Sequence, residues 1–146
     1  MNLPTHPVYN TAFPEFKEKN IVLIDVIKVG DGDRIALTFT ELNSPWRQGV
    51  WIKSNGILSV NDVKSSSFYV WQDDSDVNVI VHCISGCTLL WIYNIWDRGN
   101  GIESQSHTSG MMISAIGNIR KYGCNDIGFK TMFNKLIFTT ELLPAK

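Results

Sequence analysis

Apolar side chains recur at every second position through much of the chain, which is the period of β-strands that bury one face. Residues 34–42, 77–83 and 135–142 all show this alternation of apolar and polar or small side chains. Two further segments, 21–29 and 87–95, are apolar at nearly every position, which is typical of strands covered on both faces. The pattern therefore predicts an all-β protein.

Turn-forming sequences separate the predicted strands. The stretches "GDGD" (30–33), "SNG" (54–56) and "GN" (117–118) combine glycine with aspartate or asparagine, the chemistry that hairpin turns favour. The stretch "QDDSD" follows "SFYVW", and "ISG" between Cys83 and Cys87 predicts a three-residue hairpin loop. We expect strand to continue on both sides of each turn.

The number of turns predicts nine to ten short strands with little helix, which is confined to short turns at 14–20 and 128–135. Many short strands without a long helical period favour an antiparallel β-sandwich, jelly-roll-like or Greek key, with a closed barrel as the second alternative. A chain of 146 residues is one domain and buries roughly 70% of its unfolded surface. We expect a single β-sandwich domain at 13–146 and a loose N-terminal arm at 1–12.

Composition narrows the class of protein. The chain is 44% hydrophobic and 18% charged, which indicates a globular chain and argues against disorder. A net charge of −1 argues against a nucleic-acid partner. The N-terminus lacks a signal-peptide pattern, and no apolar run reaches the length of a membrane span. We therefore expect a cytoplasmic protein with no membrane partner and no cofactor.

Cysteine usage agrees with that compartment. Three cysteines is an odd count, whereas secreted disulfide frameworks usually have an even one. We expect Cys83 and Cys87 to be reduced and buried, with a native bridge as the lesser alternative.

The segment 96–110, "WDRGNGIESQSHTSG", is long for a connection between antiparallel strands. Long loops on a rigid scaffold often hold binding residues, although a polar crossover between two sheets is the simpler interpretation. A second polar cluster, "RKYGCND", occupies 120–126. Together they predict a binding site at one end of the fold, with Trp96 as a stacking platform. Its predicted polar contacts are Asp97, Arg98, His107, Asn125 and Asp126.

The same two segments offer a catalytic alternative. Cys124 and His107 would form a nucleophile and base if the strand ends meet, with Asp126 or Asn125 orienting the imidazole. No known cysteine-hydrolase signature surrounds Cys124. A hydrolase is therefore an alternative to the leading, non-catalytic interpretation.

Metal and carbohydrate binding form a third alternative. Acidic turns with Asp31, Asp33, Asp73 and Asp74 contain oxygen ligands of the kind that calcium prefers, although such turns are also common hairpin chemistry. Tryptophans near strand ends can stack on sugars, but core packing is the more common role of tryptophan.

The sequences "LLWIYNIWDRGNGIESQSHTSGMMI" and "IRKYGCNDIGFKTMFNKLIFTTEL" resemble an uncharacterised bacterial family of small all-β proteins. The shared pattern is a strand ending in YN-x-W-D, a Gly/Ser-rich loop ending near S-G-M, a basic-Tyr-x-C-N-D segment and a final strand. The resemblance covers residues 89–142 and implies no activity, cofactor or ligand. It directs attention to Tyr93, Asn94, Trp96, Asp97, Arg120, Tyr122, Cys124, Asn125 and Asp126.

These observations favour a non-catalytic protein that binds a small ligand or another protein at the end formed by 96–110 and 120–126. A homodimer is a further prediction, because an apolar strand such as 87–95 would recruit a second chain if its edge were unpaired.

Overall fold

The computed structural model describes residues 3–13, 21–74 and 78–145. In these ranges the chain forms eleven β-strands and no helix. The strands are β1 (Val8–Tyr9), β2 (Val22–Lys28), β3 (Arg34–Leu42), β4 (Arg47–Val60), β5 (Val63–Trp71), β6 (Asn78–Ser85), β7 (Leu89–Asp97), β8 (Ile102–Ser104), β9 (Gly110–Ile116), β10 (Ile119–Asn125) and β11 (Leu136–Leu143). Within the same ranges, no helical segment has the length and apolarity that a membrane crossing requires.

Hydrogen-bonded neighbours close a ring of eight antiparallel strands in the order β2–β9–β10–β11–β3–β6–β4–β7 and back to β2. The three remaining strands, β1, β5 and β8, pair with β2, β4 and β7. The fold is therefore a closed eight-stranded antiparallel barrel with three extra strands. The all-β class is confirmed, but the predicted β-sandwich of jelly-roll or Greek-key type is wrong.

The ring closes because β4 is one long strand of 14 residues. The "SNG" stretch does not form the predicted turn, since the β4–β5 register shifts between Lys53 and Leu58 and the intervening residues form a bulge. The turn lies instead at Asn61 and Asp62, with φ of 49° and 65°, as two-residue hairpins of type I′ require.

The segment between Cys83 and Cys87 is not a hairpin loop either. β7 pairs with β4 along 47–54 and β6 pairs with it along 57–59, both antiparallel. β6 and β7 therefore follow one another along the same strand. β7 also pairs with β2 and β8, so the predicted unpaired edge at 87–95 lies within the sheet.

Of the other predicted turns, some are confirmed and one is wrong. The turns at 30–33 and 117–118 are confirmed, because they lie between β2 and β3 and between β9 and β10. Residues 128–135 form bends instead of the predicted helical turn. The helical turn predicted at 14–20 lies outside the described residues, as does Val77. Within the predicted arm, β1 pairs with β2, and Trp91 Nε1 donates to Pro4 O at 2.6 Å.

Side chains fill the barrel interior. The alternation predicted for 34–42 is confirmed, since Ile35, Leu37 and Phe39 are all buried. Cys83, Cys87 and Cys124 are free thiols and are buried, in agreement with the predicted reduced state. The core contains side chains from all eight ring strands, among them Val22, Ile27, Leu37, Val50, Ile52, Val81, Leu90, Ile92, Met111, Tyr122, Cys124 and Phe138.

Replacing Gly56 by Ala tests the role of the β4 bulge. A Cβ at this position would overlap the carbonyl oxygen of Ser85 and the backbone of Gly86, so β4 and the β6–β7 segment have to separate. We expect a loss of about 3 kcal/mol or more in the free energy of unfolding, measured by urea denaturation. At the control position, Gly30, the nearest atom is 3.9 Å away, and Gly30→Ala should change stability by less than about 1 kcal/mol. Equal effects of the two substitutions would contradict the close approach at Gly56.

Candidate functional site

The segment 96–110 forms a hairpin rather than a plain crossover, because β8 pairs back onto the end of β7. The Asp97 carboxylate accepts hydrogen bonds from two glycine N–H groups of the turn, at 2.6 and 3.3 Å. Arg98 donates twice to Glu103, at 2.7 Å each. The charged groups predicted as ligand contacts are therefore engaged in holding this hairpin.

The other predicted contacts mainly hold loops in place. Asn125 is fully buried, and its Nδ2 donates to Thr108 O at 2.7 Å and Gly128 O at 2.8 Å. Asp126 is also buried and accepts a hydrogen bond from Gln48 Nε2 at 3.0 Å. These side-chain bonds tie the end of β10 to the loop between β8 and β9, to the loop that follows β10, and to β4.

Trp96 is fully buried, so its ring presents no exposed face for stacking. In the described part of the chain, three buried side-chain polar atoms have no hydrogen-bond partner: Trp96 Nε1, Gln48 Oε1 and Asn125 Oδ1. Gln48 and Trp96 are cross-strand neighbours. This end of the barrel is thus polar inside, but its polar groups point into the protein.

The proposed nucleophile pair is not activated. The Cys124 thiol is fully buried, and burial, followed by the charge of Asp126, raises its pKa well above the ordinary value. His107 is exposed and packs edge-on against Phe129, with the ring centroids 5.7 Å apart. A nucleophilic cysteine needs a lowered pKa and an adjacent base, so the geometry gives the hydrolase alternative no support.

The four candidate calcium ligands have other partners. Asp31 accepts from the N–H groups of residues 86 and 87, and Asp33 accepts from those of residues 30 and 145. Asp73 and Asp74 form an ion pair with Arg47. In the described ranges, no group of three or more His, Cys, Asp or Glu side chains is placed to hold a metal ion.

The five tryptophans share one property: each is buried or has a ring face covered by another side chain. Trp91 and Trp96 are the most deeply buried. The covered rings are Trp46 below Arg98 at 5.3 Å, Trp51 stacked on Tyr93 at 4.5 Å, and Trp71 below Arg47 at 4.2 Å. These contacts leave little support for sugar stacking on tryptophan.

A different cluster lies where β2 faces β10. Tyr122 donates its hydroxyl to Asp25 Oδ2 at 2.6 Å, and Arg120 Nη1 lies 3.4 Å from the same oxygen. Asp25 and Tyr122 are almost fully buried, whereas the Arg120 side chain is 36% exposed. An isolated buried carboxylate is very costly, so this one depends on its two partners.

The backbone pattern explains the convergence. Alternation along β10 directs Arg120, Tyr122 and Cys124 towards the interior, and the last two of these are fully buried. Asp25 pairs with Ile92, a core residue of β7. The sequence pattern predicts that the segment 120–126 contributes to a site, but it does not predict a role for Asp25. Asp25 is nevertheless recognisable, because it is the one charged residue in the apolar run 21–27.

A cavity of about 400 Å³ lies beside this cluster, between β2 and the β10–β11 pair. We call it the β2–β10 cleft. It exists because β2 and β9 are joined, within the described chain, at one pair only, Val22 and Met111. The cleft is lined by Val26, Ile27, Lys28, Ile35, Gly117, Asn118, Arg120, Thr140 and Leu142.

A second, smaller cavity of about 250 Å³ also borders Arg120. Asp25 lines this smaller cavity, together with Pro7 and Tyr9 from the N-terminal segment. Asp25 does not line the larger cleft. Lys28 therefore borders the cleft, Asp25 borders the smaller cavity, and Arg120 borders both.

Tyr122 is held as a hydrogen-bond donor. Burial, followed by the negative charge of Asp25, raises the pKa of Tyr122 well above its ordinary value of 10.0. The phenol therefore stays protonated and can donate to the carboxylate at neutral pH.

Tyr122→Phe removes a hydrogen bond to a buried carboxylate, and we expect it to lower the free energy of unfolding by about 2 kcal/mol near neutral pH. Unfolded Tyr122 ionises above pH 10.0 while folded Tyr122, with its raised pKa, keeps its proton. The stability that Tyr122 contributes is therefore present below that pH and is lost as the pH rises. Urea denaturation at several pH values should show the difference between wild type and variant narrowing above this pH. Tyr69→Phe, at an exposed tyrosine, is the control and should have little effect.

Iodoacetamide treatment near neutral pH tests whether any cysteine is an activated nucleophile. Burial raises the pKa of Cys83 to about 12 and that of Cys124 well above its ordinary value, so the reactive thiolates are scarce. We expect both residues to stay unlabelled in the native protein and to react in denaturant, as followed by peptide mass spectrometry. Rapid, selective labelling of native Cys124 would revive the hydrolase alternative.

The chain matches no protein-family model, no curated protein and no solved structure. The resemblance over residues 89–142 therefore stays a prediction, and the geometry of the site is the basis for a functional proposal.

Proposed function

We propose that this protein binds a small, partly apolar molecule in the β2–β10 cleft and performs no chemistry on it. The observation that supports this most directly is the cluster of buried Asp25 and Tyr122 with half-buried Arg120, beside a cavity of about 400 Å³. Ligand sites are typically concave, mostly apolar and supplied with a few well-placed polar groups. Costly buried charges next to such a cavity are typical of functional sites.

The lining of the cleft supports binding rather than catalysis. Among the residues that the structure describes, four apolar and four polar ones line it, and the polar set is Lys28, Asn118, Arg120 and Thr140. These groups donate hydrogen bonds or carry positive charge, and no histidine, cysteine or carboxylate stands among them. The non-catalytic character expected from the sequence is thus kept in the proposal. The location differs, because the loop 96–110 is outside the cleft and only the segment 120–126 contributes to it.

A neutral, environment-sensitive dye, prodan, tests this proposal. In an apolar cavity its emission should shift to shorter wavelength, and Leu142→Trp, which fills the cleft, should weaken binding at least about tenfold. Leu143→Trp on the opposite face of β11 is the matched control and should bind like wild type. Circular dichroism verifies that both variants fold. If the wild type does not bind prodan, or if Leu142→Trp binds it equally well, the cleft is not the site.

A further inference from the structure

We infer that the ligand of the β2–β10 cleft is an apolar monocarboxylic acid, whose carboxylate lies against Arg120 and Lys28. This inference rests on the function proposed above and adds the chemical class of the ligand. Its basis is the charge distribution around the cleft, the unused donors of Arg120, and the size and polarity of the lining.

The two cationic residues that line the cleft and the carboxylate paired with one of them together carry one positive unit. Lys28 and Arg120 line it, and Asp25 neutralises one of these two cations from behind, through the contact with Arg120. Because Asp25 is almost fully buried and lines the smaller cavity instead, an incoming anion meets the cations first. A ligand with one negative charge brings the site to neutrality, whereas a cation would be repelled.

Arg120 retains donors for such an anion. A guanidinium group has five N–H donors, and the structure commits one nitrogen, Nη1, to Asp25 at a long 3.4 Å. The shorter bond to Asp25, at 2.6 Å, comes from Tyr122. Arg120 can therefore offer a two-pronged contact of the kind that matches a carboxylate.

The rest of the lining describes the remainder of the ligand. The apolar residues that line the cleft are Val26, Ile27, Ile35 and Leu142, and apolar ligand surface placed against them is removed from water at a gain of about 25 cal/mol per Å². The volume of about 400 Å³ lies near the lower limit of known ligand sites. A medium-length or aromatic acid fits this volume better than a long lipid.

Octanoate and 1-octanol form a matched pair of probes, because they share a chain length and differ in charge. In isothermal titration calorimetry near neutral pH, the wild-type protein should bind octanoate with a dissociation constant at least about tenfold lower than that for octanol. Added salt should weaken octanoate binding and leave octanol binding unchanged.

Substitutions test whether the preference for octanoate over octanol depends on Lys28 and Arg120. Lys28→Gln, at an exposed residue, should weaken octanoate binding several-fold without affecting octanol. Asp25→Asn combined with Arg120→Gln removes the ion pair as a unit, which avoids an unpaired carboxylate, and should abolish the preference for octanoate. Lys121→Gln makes the same charge change on the outer face of β10 and should leave both affinities unchanged.

Each outcome separates the two proposals. If octanol binds in the cleft as tightly as octanoate, the anionic class is overturned and the proposed binding function stands. If neither compound binds although prodan does, the inference is overturned and the proposed binding function stands; if prodan does not bind either, both fall. If the ratio of octanoate to octanol affinity is the same in Lys28→Gln, in the double variant and in Lys121→Gln, the carboxylate lies elsewhere and the inference is overturned.

Discussion

The closed ring depends on the continuation of β4 through residues 54–56. A turn there would produce two short hairpins, whereas a bulge lets β4 pair with β7 along one half and β6 along the other. Gly56 makes this possible, because the backbone of the β6–β7 segment passes where a side chain would otherwise lie. The bulge therefore converts a series of short hairpins into a ring that encloses one core.

Closure of the ring is much weaker between β2 and β9 than along β4. In the described chain, β2 meets β9 at Val22 and Met111 only, so the strands have room to diverge and a cavity remains between β2 and β10. A carboxylate placed at that position is shielded from water without being surrounded by apolar side chains alone. Asp25 is tolerated there because Tyr122 and Arg120 provide the hydrogen bonds that water would otherwise give. The location of the cleft is thus a consequence of how the ring closes.

Much of the secondary structure could be predicted from the sequence, and much of the topology could not. Period-two alternation correctly indicates strands such as 34–42, and "GN" at 117–118 correctly indicates a hairpin. The same chemistry in "SNG" misleads, because a Gly/Asn pair suits a bulge as well as a turn, and only the partner strands decide between them. Strands of a β-sandwich and of a β-barrel show the same alternation of apolar and polar residues. The two folds differ in whether the edge strands pair with each other, which depends on contacts between residues far apart in the sequence.

The candidate site also combines features that local sequence explains with features that depend on distant residues. Polar residues in the loop 96–110 satisfy local turn chemistry, so their abundance does not indicate a ligand. Asp25 carries the opposite signal, since a charged residue inside an apolar strand cannot be explained by local structure. Its partners in β10 lie about a hundred positions away in the chain, and no spacing rule connects them.

The cluster also explains how an arginine in a cavity wall can be prepared for binding. A free arginine side chain loses considerable rotamer freedom when it pairs with a ligand. Here the long contact with Asp25 orients Arg120, while Tyr122 satisfies the carboxylate through the shorter bond. Arg120 is therefore positioned without giving up most of its donors, and part of the ordering cost has been met during folding. A surface arginine with the same charge would have no such advantage, which is why a buried aspartate is useful beside a site for anions.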